Sequence, residues 1–416
     1  MEEEKEIGEW YYNKNCKPLD MHKYSHYPQV VQCIDKLLFD LGDDLPNNKI
    51  YKVHLNMVVV DLYHRWHGFK FNGGLGYSRD NNAYRLKTRY NGLRIKKKPL
   101  LETIDKLLEL GYINHMKGYK TDKQGFNSKI QATPKLIDYI KSFDIDPDCI
   151  WSSDQKEIII LKDKNGKKLE YKENEFTNRV REELLIYIDR LSKHQITIDG
   201  KNFIKLDTMD IHKVFQTDFK QYGRIYGGFW QHAVTSKERE NIKIDNQETT
   251  ELDYKNQMIK ILYSLEGIDY DYDAYDVQGV DRKLVKKAVI CMINCDSKFD
   301  AIRAIQGAIN KDSYLYDYWF NKNRVNISDL LKQLEFKHQE VLKYFYNSSG
   351  ALCQRIDSEL ASRIINFFVH QNKCLLGIHD SFICKKEDQD LLFKTMHREF
   401  QNLLKINVLD PNTLIS

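Results

Sequence analysis

The chain has 416 residues, 42% hydrophobic and 30% charged, with a formal net charge of +4. That length exceeds one ordinary core and predicts two or three domains. No apolar run approaches the ~20 residues of a membrane span, and the acidic first six residues are unlike a secretory leader. With so small a net charge, any nucleic-acid surface has to come from local clustering. The eight cysteines include no C-x-x-C pair, which points to reduced thiols and a cytoplasmic protein. Cys291 and Cys295 can share a helix face and read as packing rather than as metal ligands.

Residues 1–49 form an N-terminal extension, rich in Tyr and Lys, with little pattern. From Ile50 onward, Val53, Leu55, Met57, Val58, Val59, Leu62 and Trp66 predict a buried helix, with a strand as the alternative for the Val run. Residues 68–92 read as loop with a short extended piece. Lys96, Lys97 and Lys98 then run into Pro99, which suits a helix start. Leu100, Leu101, Ile104, Leu107 and Leu108 keep the helical period, and Gly111 is a natural stop. Two short strands around a polar turn at 122–125 predict a hairpin, and Pro134 opens another helix. Over residues 50–142 this succession resembles the winged-helix domain. The resemblance implies nucleic-acid contact. Lys96, Lys97 and Lys98 would lie near a groove, and Lys117, Lys120, Lys123 and Lys129 of the wing near phosphates. Winged helices also serve as protein-interaction modules.

Residues 143–175 read as a linker ending in a hairpin, because Asn165-Gly166 lies between apolar runs at 158–161 and 168–171. Residues 176–192 are an amphipathic helix. Gly223, Gly227 and Gly228 punctuate an extended stretch that holds Arg224 and Gln231. A strand and turn at 242–246 lead to Asp253 at a strand end, and Met258, Ile261 and Leu262 begin a helix. Such a junction offers a cation both a carboxylate and the next backbone carbonyl, that of Tyr254. Arg282 and Lys286 are four apart on one helical face, an arrangement that suits a triphosphate. Tyr314, Tyr316, Tyr318, Trp319, Phe320 and Arg324 read as a packed subdomain or, alternatively, as a stacking surface for bases. Ser328 should cap a helix through Phe345, and another should span 352–370. Leu375, Leu376 and Ile378 then predict a strand that halts at His379-Asp380-Ser381 and resumes with Phe382, Ile383 and Cys384. A carboxylate at the tip of an apolar hairpin is poorly solvated unless a cation sits there; taken alone, it is a surface turn with an Asp in it.

In their order and spacing these segments resemble the palm and fingers of family A DNA polymerases and the related phage-type single-subunit RNA polymerases. Residues 252–260 resemble motif A, with Lys260 where arginine is usual. Arg282 and Lys286 resemble the start of motif B. Residues 378–382 resemble motif C in its phage RNA polymerase form, and Gly223-Arg224 resembles the segment whose arginine contacts the primer end. The match spans about residues 175–410. It implies an α+β fold: a right-hand polymerase palm over 176–416, made of a small antiparallel sheet plus helices, with fingers at about 280–346, preceded by the winged helix. It further implies template-directed nucleotidyl transfer from an NTP or dNTP to a 3′-hydroxyl, in replication or transcription of a mobile element, phage or plasmid. DNA template or primer–template would be the partner, and no membrane. Asp253, Asp380 and the Tyr254 carbonyl would hold two Mg²⁺ ions, or Mn²⁺, about 3.5–4 Å apart. Lys286 would neutralise the α- and γ-phosphates and Arg282 the β/γ side, with Lys260, Asn294 and Met258 completing the nucleotide site; His379 would contact the γ-phosphate or the primer terminus, or alternatively is simply a hydrogen-bonded turn histidine. Arg224, Gln231, Gln354 and Arg355 would contact primer–template, with Asp357 a further candidate. Met258 stands where the DNA polymerases keep a ribose-excluding glutamate, and Asn294 where motif B has its tyrosine. The choice between RNA and DNA product stays open, with weak sugar discrimination expected. The alternative is a winged-helix DNA-binding replication initiator or regulator with a non-catalytic palm.

Overall fold

The computed structural model describes residues 16–42, 49–69, 73–119, 125–146, 151–152, 156–198, 210–232 and 234–405. Parts of the N-terminal extension and of the 68–92 loop, Lys120 and Lys123 at the hairpin tip, and most of 147–155 fall outside these ranges. The fold is α+β, with small sheets among many helices. Two compact units divide the chain at Ile158/Ile159, and the short excursions Thr197–Ile211 and Gly227–His232 return to the first unit. No helix among the described residues is long and apolar enough to cross a membrane.

The first unit opens with β1 (Cys16–Pro18) and β2 (Lys23–Tyr24). Helix α1 (Pro28–Asp40) starts on a proline, whose missing N–H costs nothing there. It buries Val30, Cys33, Ile34, Leu37 and Leu38 along one stripe. The Val-rich run is a helix, α2 (Lys49–Phe69). Leu55 and Met57 through Val60 are all buried, so packing on nearly every face overrides the strand preference of β-branched residues. Strand β3 (Gly74–Tyr77) follows. Helix α3 (Lys97–Glu109) begins two residues before Pro99, which puts Lys97 and Lys98 in its first turn. Gly111, at φ +70°, ends it. Strands β4 (Ile113–Met116) and β5 (Ser128–Ala132) pair antiparallel, and the sheet order is β1-β3-β5-β4. Helix α4 (Pro134–Lys141) packs Leu136, Ile137 and Ile140 inward, and β6 (Trp151–Ser152) pairs with β2.

In the second unit, β7 (Ile159–Lys162) meets the expected turn: Asp163 Oδ1 accepts from the Asn165 and Lys167 backbone, both at 2.9 Å. The expected return strand at 168–171 does not form beyond a single bridge from Lys168 to Lys162. Strand β7 instead pairs in parallel with β9 after α5 (Glu175–Ser192) and β8 (Ile196–Ile198). Strands β9 (His212–Gln216) and β10 (Asp218–Tyr226) are antiparallel. Strands β11 (Ile242–Ile244) and β12 (Gln247–Asp253) are joined by Asp245 and Asn246, both at positive φ, as a tight hairpin requires.

Four helices follow: α6 (Gln257–Leu265), α7 (Arg282–Asn294), α8 (Lys298–Lys311) and the short α9 (Ser313–Asp317). Helix α10 (Ile327–Lys337) is capped by Asn326, which accepts from Ser328 N at 2.9 Å, rather than by Ser328. It stops at Lys337 instead of Phe345. There His338 is buried, bonded to the Tyr263 hydroxyl at 2.9 Å and the Ala274 carbonyl at 3.1 Å, and the chain tightens into a 3₁₀ turn. Helix α11 (Gly350–His370) leads into β13 (Leu376–Ile378), β14 (Ser381–Lys385) and α12 (Gln389–Leu404). Neighbouring strands run β13-β14-β12-β11, and α11 packs on β10, α5, α6 and α12.

Candidate functional site

Strand β12 pairs antiparallel with β14 from Thr249↔Lys385 to Asp253↔Ser381. Strand β13 pairs with β14 up to Ile378↔Ser381, so His379 and Asp380 alone turn the chain, with His379 at φ +56°. Tyr254 N donates to the Asp380 carbonyl at 3.2 Å. The register therefore delivers Asp253 and Asp380 to the same end of adjacent strands, over the buried Leu252, Phe382 and Ile383. Tyr254 sends its own side chain into the core, where its hydroxyl donates to the Met396 carbonyl at 2.7 Å, so its part at the site falls to its backbone.

The two-residue period of a strand places Glu251 on the same face as Asp253. Ser381 Oγ donates to Glu251 at 2.6 Å, and Arg239 grips the same carboxylate through Nε at 2.9 Å and Nη2 at 3.0 Å. Asp253 is exposed along its open side. Loss of water from its protein side, then the charges of Asp380 and Glu251, push its carboxyl up to about 7, against the pull of Lys286. Because Asp253 keeps contact with solvent, the like charges are the firmer cause.

A second group of side chains stands beside Asp380. Arg224 Nε donates to Asp357 Oδ2 at 2.6 Å. Asp357 is buried on α11; burial pushes its carboxyl up to about 6, Arg224 draws it down, and Asp380 raises it further. The positions are set by a close approach. Gly223 has φ +96°, and a Cβ there would lie 2.6 Å from the Phe215 ring. The Ser358 hydroxyl of α11 donates to the Gly223 carbonyl. The His379 ring meets that of Tyr226 edge-on at 5.2 Å. Burial, and then Arg224, lower the His379 pKa, with Asp380 opposing.

The cations come from α7, whose first turn is capped by Asp281 through Lys283 N at 2.9 Å and Leu284 N at 3.3 Å. Arg282 and Lys286 both lie over the buried Tyr275 ring, at 5.4 and 5.9 Å from its centroid. Arg282 is also bound by Asp273, at 2.9 and 3.2 Å. Burial pushes the Tyr275 hydroxyl up to about 12; Arg282 opposes this, and Asp273 and Asp380 add to it. Asp253, Asp380 and Lys286, read separately from the sequence, are thus brought into one electrostatic neighbourhood.

Other expected residues stand elsewhere. Lys260 is buried in α6 with 5% of its surface exposed, rather than presented on its outside. Met258 is half-buried, its carbonyl 3.8 Å from the Cys353 thiol. Asn294 donates to the Ile290 carbonyl of its own helix at 2.8 Å, and its amide oxygen packs where a Cβ on Gly350 would be. Gln354 is half-buried on α11. Arg355 turns to the Phe176 ring, 5.5 Å from its centroid, and to Glu359 at 3.4 Å. Gln231, Lys96, Lys97 and Lys98 belong to the first unit; Gln231 accepts from Gly227 N at 3.0 Å, and Lys96 and Lys98 are exposed. The aromatic segment is partly anchored, with Trp319 donating to the Val325 carbonyl at 2.9 Å, while Tyr314, Tyr316 and Phe320 face solvent.

Sequence reasoning missed Glu251, Arg239, Tyr226, Tyr275 and Asp273. Only Glu251 left a usable signal, standing two residues before Asp253 on a strand. Among the described residues, no three or more His, Cys, Asp or Glu side chains are grouped so as to hold a metal ion. No protein-family model matches the chain, and no curated protein matches it.

Proposed function

We propose that this protein is a template-directed nucleic-acid polymerase, joining the nucleotidyl group of an NTP or dNTP to a 3′-hydroxyl as the α–β phosphoanhydride bond breaks and pyrophosphate leaves. What supports the reading most is the register of β12 on β14, with Asp253 opposite Ser381 and one residue from Asp380. Two carboxylates crowded at one sheet end repel each other unless a cation lies between them. Their oxygens and a backbone carbonyl are hard donors that suit Mg²⁺ or Mn²⁺. Asp253, Asp380 and the Tyr254 carbonyl would hold the metal, which supplies charge stabilisation at the transferred phosphate and eases loss of the hydroxyl proton. Glu251, clamped by Arg239 and Ser381, adds negative charge without being free to swing.

Lys286 neutralises charge that builds on the phosphates, and Arg282 adds a planar fork one turn away. Arg224, steadied by Asp357, and His379, steadied by Tyr226, suit the end of the growing strand. Neither Met258 nor Asn294 offers the 2′ position a strong selector, so both nucleotide sets should be used. In the first unit, the order β3-β5-β4 behind α3 agrees with a winged helix. Lys97 and Lys98 stand in a first helical turn, where the helix dipole disfavours cations and an anion such as phosphate offsets them. Such a pairing of polymerase and winged helix would suit copying the nucleic acid of a mobile element, phage or plasmid. The test is incubation with template, primed and unprimed, in Mg²⁺ with each nucleotide set. Extension supports the reading. Template binding without extension under every condition contradicts it and leaves a nucleic-acid-binding protein.

A further inference from the structure

Between α6 and α7 the chain reads Asp269-Tyr270-Asp271-Tyr272-Asp273-Ala274-Tyr275-Asp276. It is pinned at several points. The Tyr270 ring stacks on Tyr263 at 4.1 Å, His338 bonds the Ala274 carbonyl, and Lys337 donates to the Asp276 carbonyl at 2.7 Å. Tyr275 N donates to Asp273 Oδ1 at 2.9 Å, so the carboxylate itself is aimed. It is aimed at Arg282, which it meets through both Nε and Nη2. That is the two-bond geometry in which a guanidinium also takes a phosphate. Lys286 lies over the same Tyr275 ring one turn further along α7.

We propose that Asp273 is a built-in stand-in for phosphate, holding the Arg282 fork until a polyphosphate long enough to reach Lys286 as well displaces it. This rests on the reading of Arg282 and Lys286 as the phosphate side of the site. The pair is solvated, with 58% of the Arg282 and 40% of the Asp273 side-chain surface in water, and exposed ion pairs are weak enough to exchange. A single phosphate that replaces Asp273 trades one anion for another at the same fork. A chain of two or three phosphates gains Lys286 in addition. Asp273 therefore imposes the same displacement cost on every phosphate chain, and short anions, which gain nothing from Lys286 to offset it, are held too weakly to block the site.

The test is calorimetric titration of the full chain, without divalent metal, using inorganic tripolyphosphate, pyrophosphate and phosphate. Arg282→Gln and Lys286→Gln should each weaken tripolyphosphate binding. Asp273→Asn keeps an oxygen for Tyr275 N, and Asp273→Ser is the second variant. Each should tighten phosphate, pyrophosphate and tripolyphosphate binding alike, by about five-fold, the scale of one exposed ion pair. That gain should vanish in the double variant with Arg282→Gln. Unchanged affinity for all three anions in both Asp273 variants, with Arg282→Gln still weakening binding, overturns the stand-in and leaves the phosphate reading standing. A gain that persists in the double variant also overturns it, because it would be general charge removal. Arg282→Gln and Lys286→Gln both without effect overturn the phosphate reading itself.

Discussion

At Asp253 the fold holds a carboxylate beside two others, Asp380 and Glu251, and that arrangement costs stability in the absence of a cation. Its carboxyl stands at about 7 in the folded chain against an ordinary 3.8. A raised folded pKa contributes stability that is present below the ordinary value and lost as pH rises through the folded one. Asp253→Asn should therefore raise the melting temperature of the metal-free protein at pH 8. The gain should shrink through the pH 7-to-4 window and be absent below it. Mg²⁺ should raise the melting temperature of the natural protein more than that of the variant. Equal melting curves at pH 8 would contradict the crowding. At Met258 the issue is the sugar. A thioether has no charge to press against a 2′-hydroxyl, and a single hydrogen bond that favours ribose is worth on the order of 1 kcal/mol. Incorporation rates for matched NTP and dNTP should differ by less than about ten-fold, and Met258→Glu should move preference toward dNTP. Discrimination near a thousand-fold, roughly 4 kcal/mol, would show that another group selects the sugar.

The hairpin of β13 and β14 was legible as an element, because two apolar runs bracket one polar triplet. Its partner was not. Strand β12 lies far away in sequence, and nothing local specifies that Asp253 faces Ser381; slipping that register by one residue would turn Asp253 to the opposite face. The same limit explains β7, whose Asn-Gly turn was read correctly while its parallel partner β9 was not. The Glu251 clamp depends on both Arg239, from a short separate helix, and Ser381, across the sheet. At the junction of β10 and α11, Gly223 combines φ +96° with a Cβ position 2.6 Å from Phe215 and 3.1 Å from the Ser358 hydroxyl. Gly223→Ala should destabilise the second unit by about 2–3 kcal/mol through strain and overpacking, measured by urea unfolding. Arg224 should lose its hold on Asp357 with it. A change under 0.5 kcal/mol would mean that β10 can retreat from α11 at little cost.

Across the whole molecule the helices and strands were readable one by one from their periods, while the α+β class was what the resemblance to a polymerase palm implied. The composition of the first unit was not. Its sheet takes β1, and its smaller pair takes β2 and β6, from outside the 50–142 stretch that carried the recognisable pattern. Such pairings of two or three residues leave no periodicity to detect. The basic cluster before α3 was legible directly. If it contacts nucleic acid, replacing Lys96, Lys97 and Lys98 with Gln should reduce the slope of log affinity against log salt by about 2–3. An unchanged slope would place the contact elsewhere.

The central claim is that Asp253 and Asp380 act together on one reacting phosphate. It is tested most directly by single-turnover extension of a primed template in Mg²⁺, comparing the natural chain with Asp253→Asn and Asp380→Asn. The account predicts extension by the natural chain and a loss of at least about a thousand-fold, roughly 4 kcal/mol of transition-state stabilisation, in each variant. Both variants should bind the same primed template within about two-fold of the natural chain, because surface charges away from the backbone contacts change binding little. Extension by either variant at the natural rate would contradict the account, and so would a natural chain that binds template and extends it with neither nucleotide set.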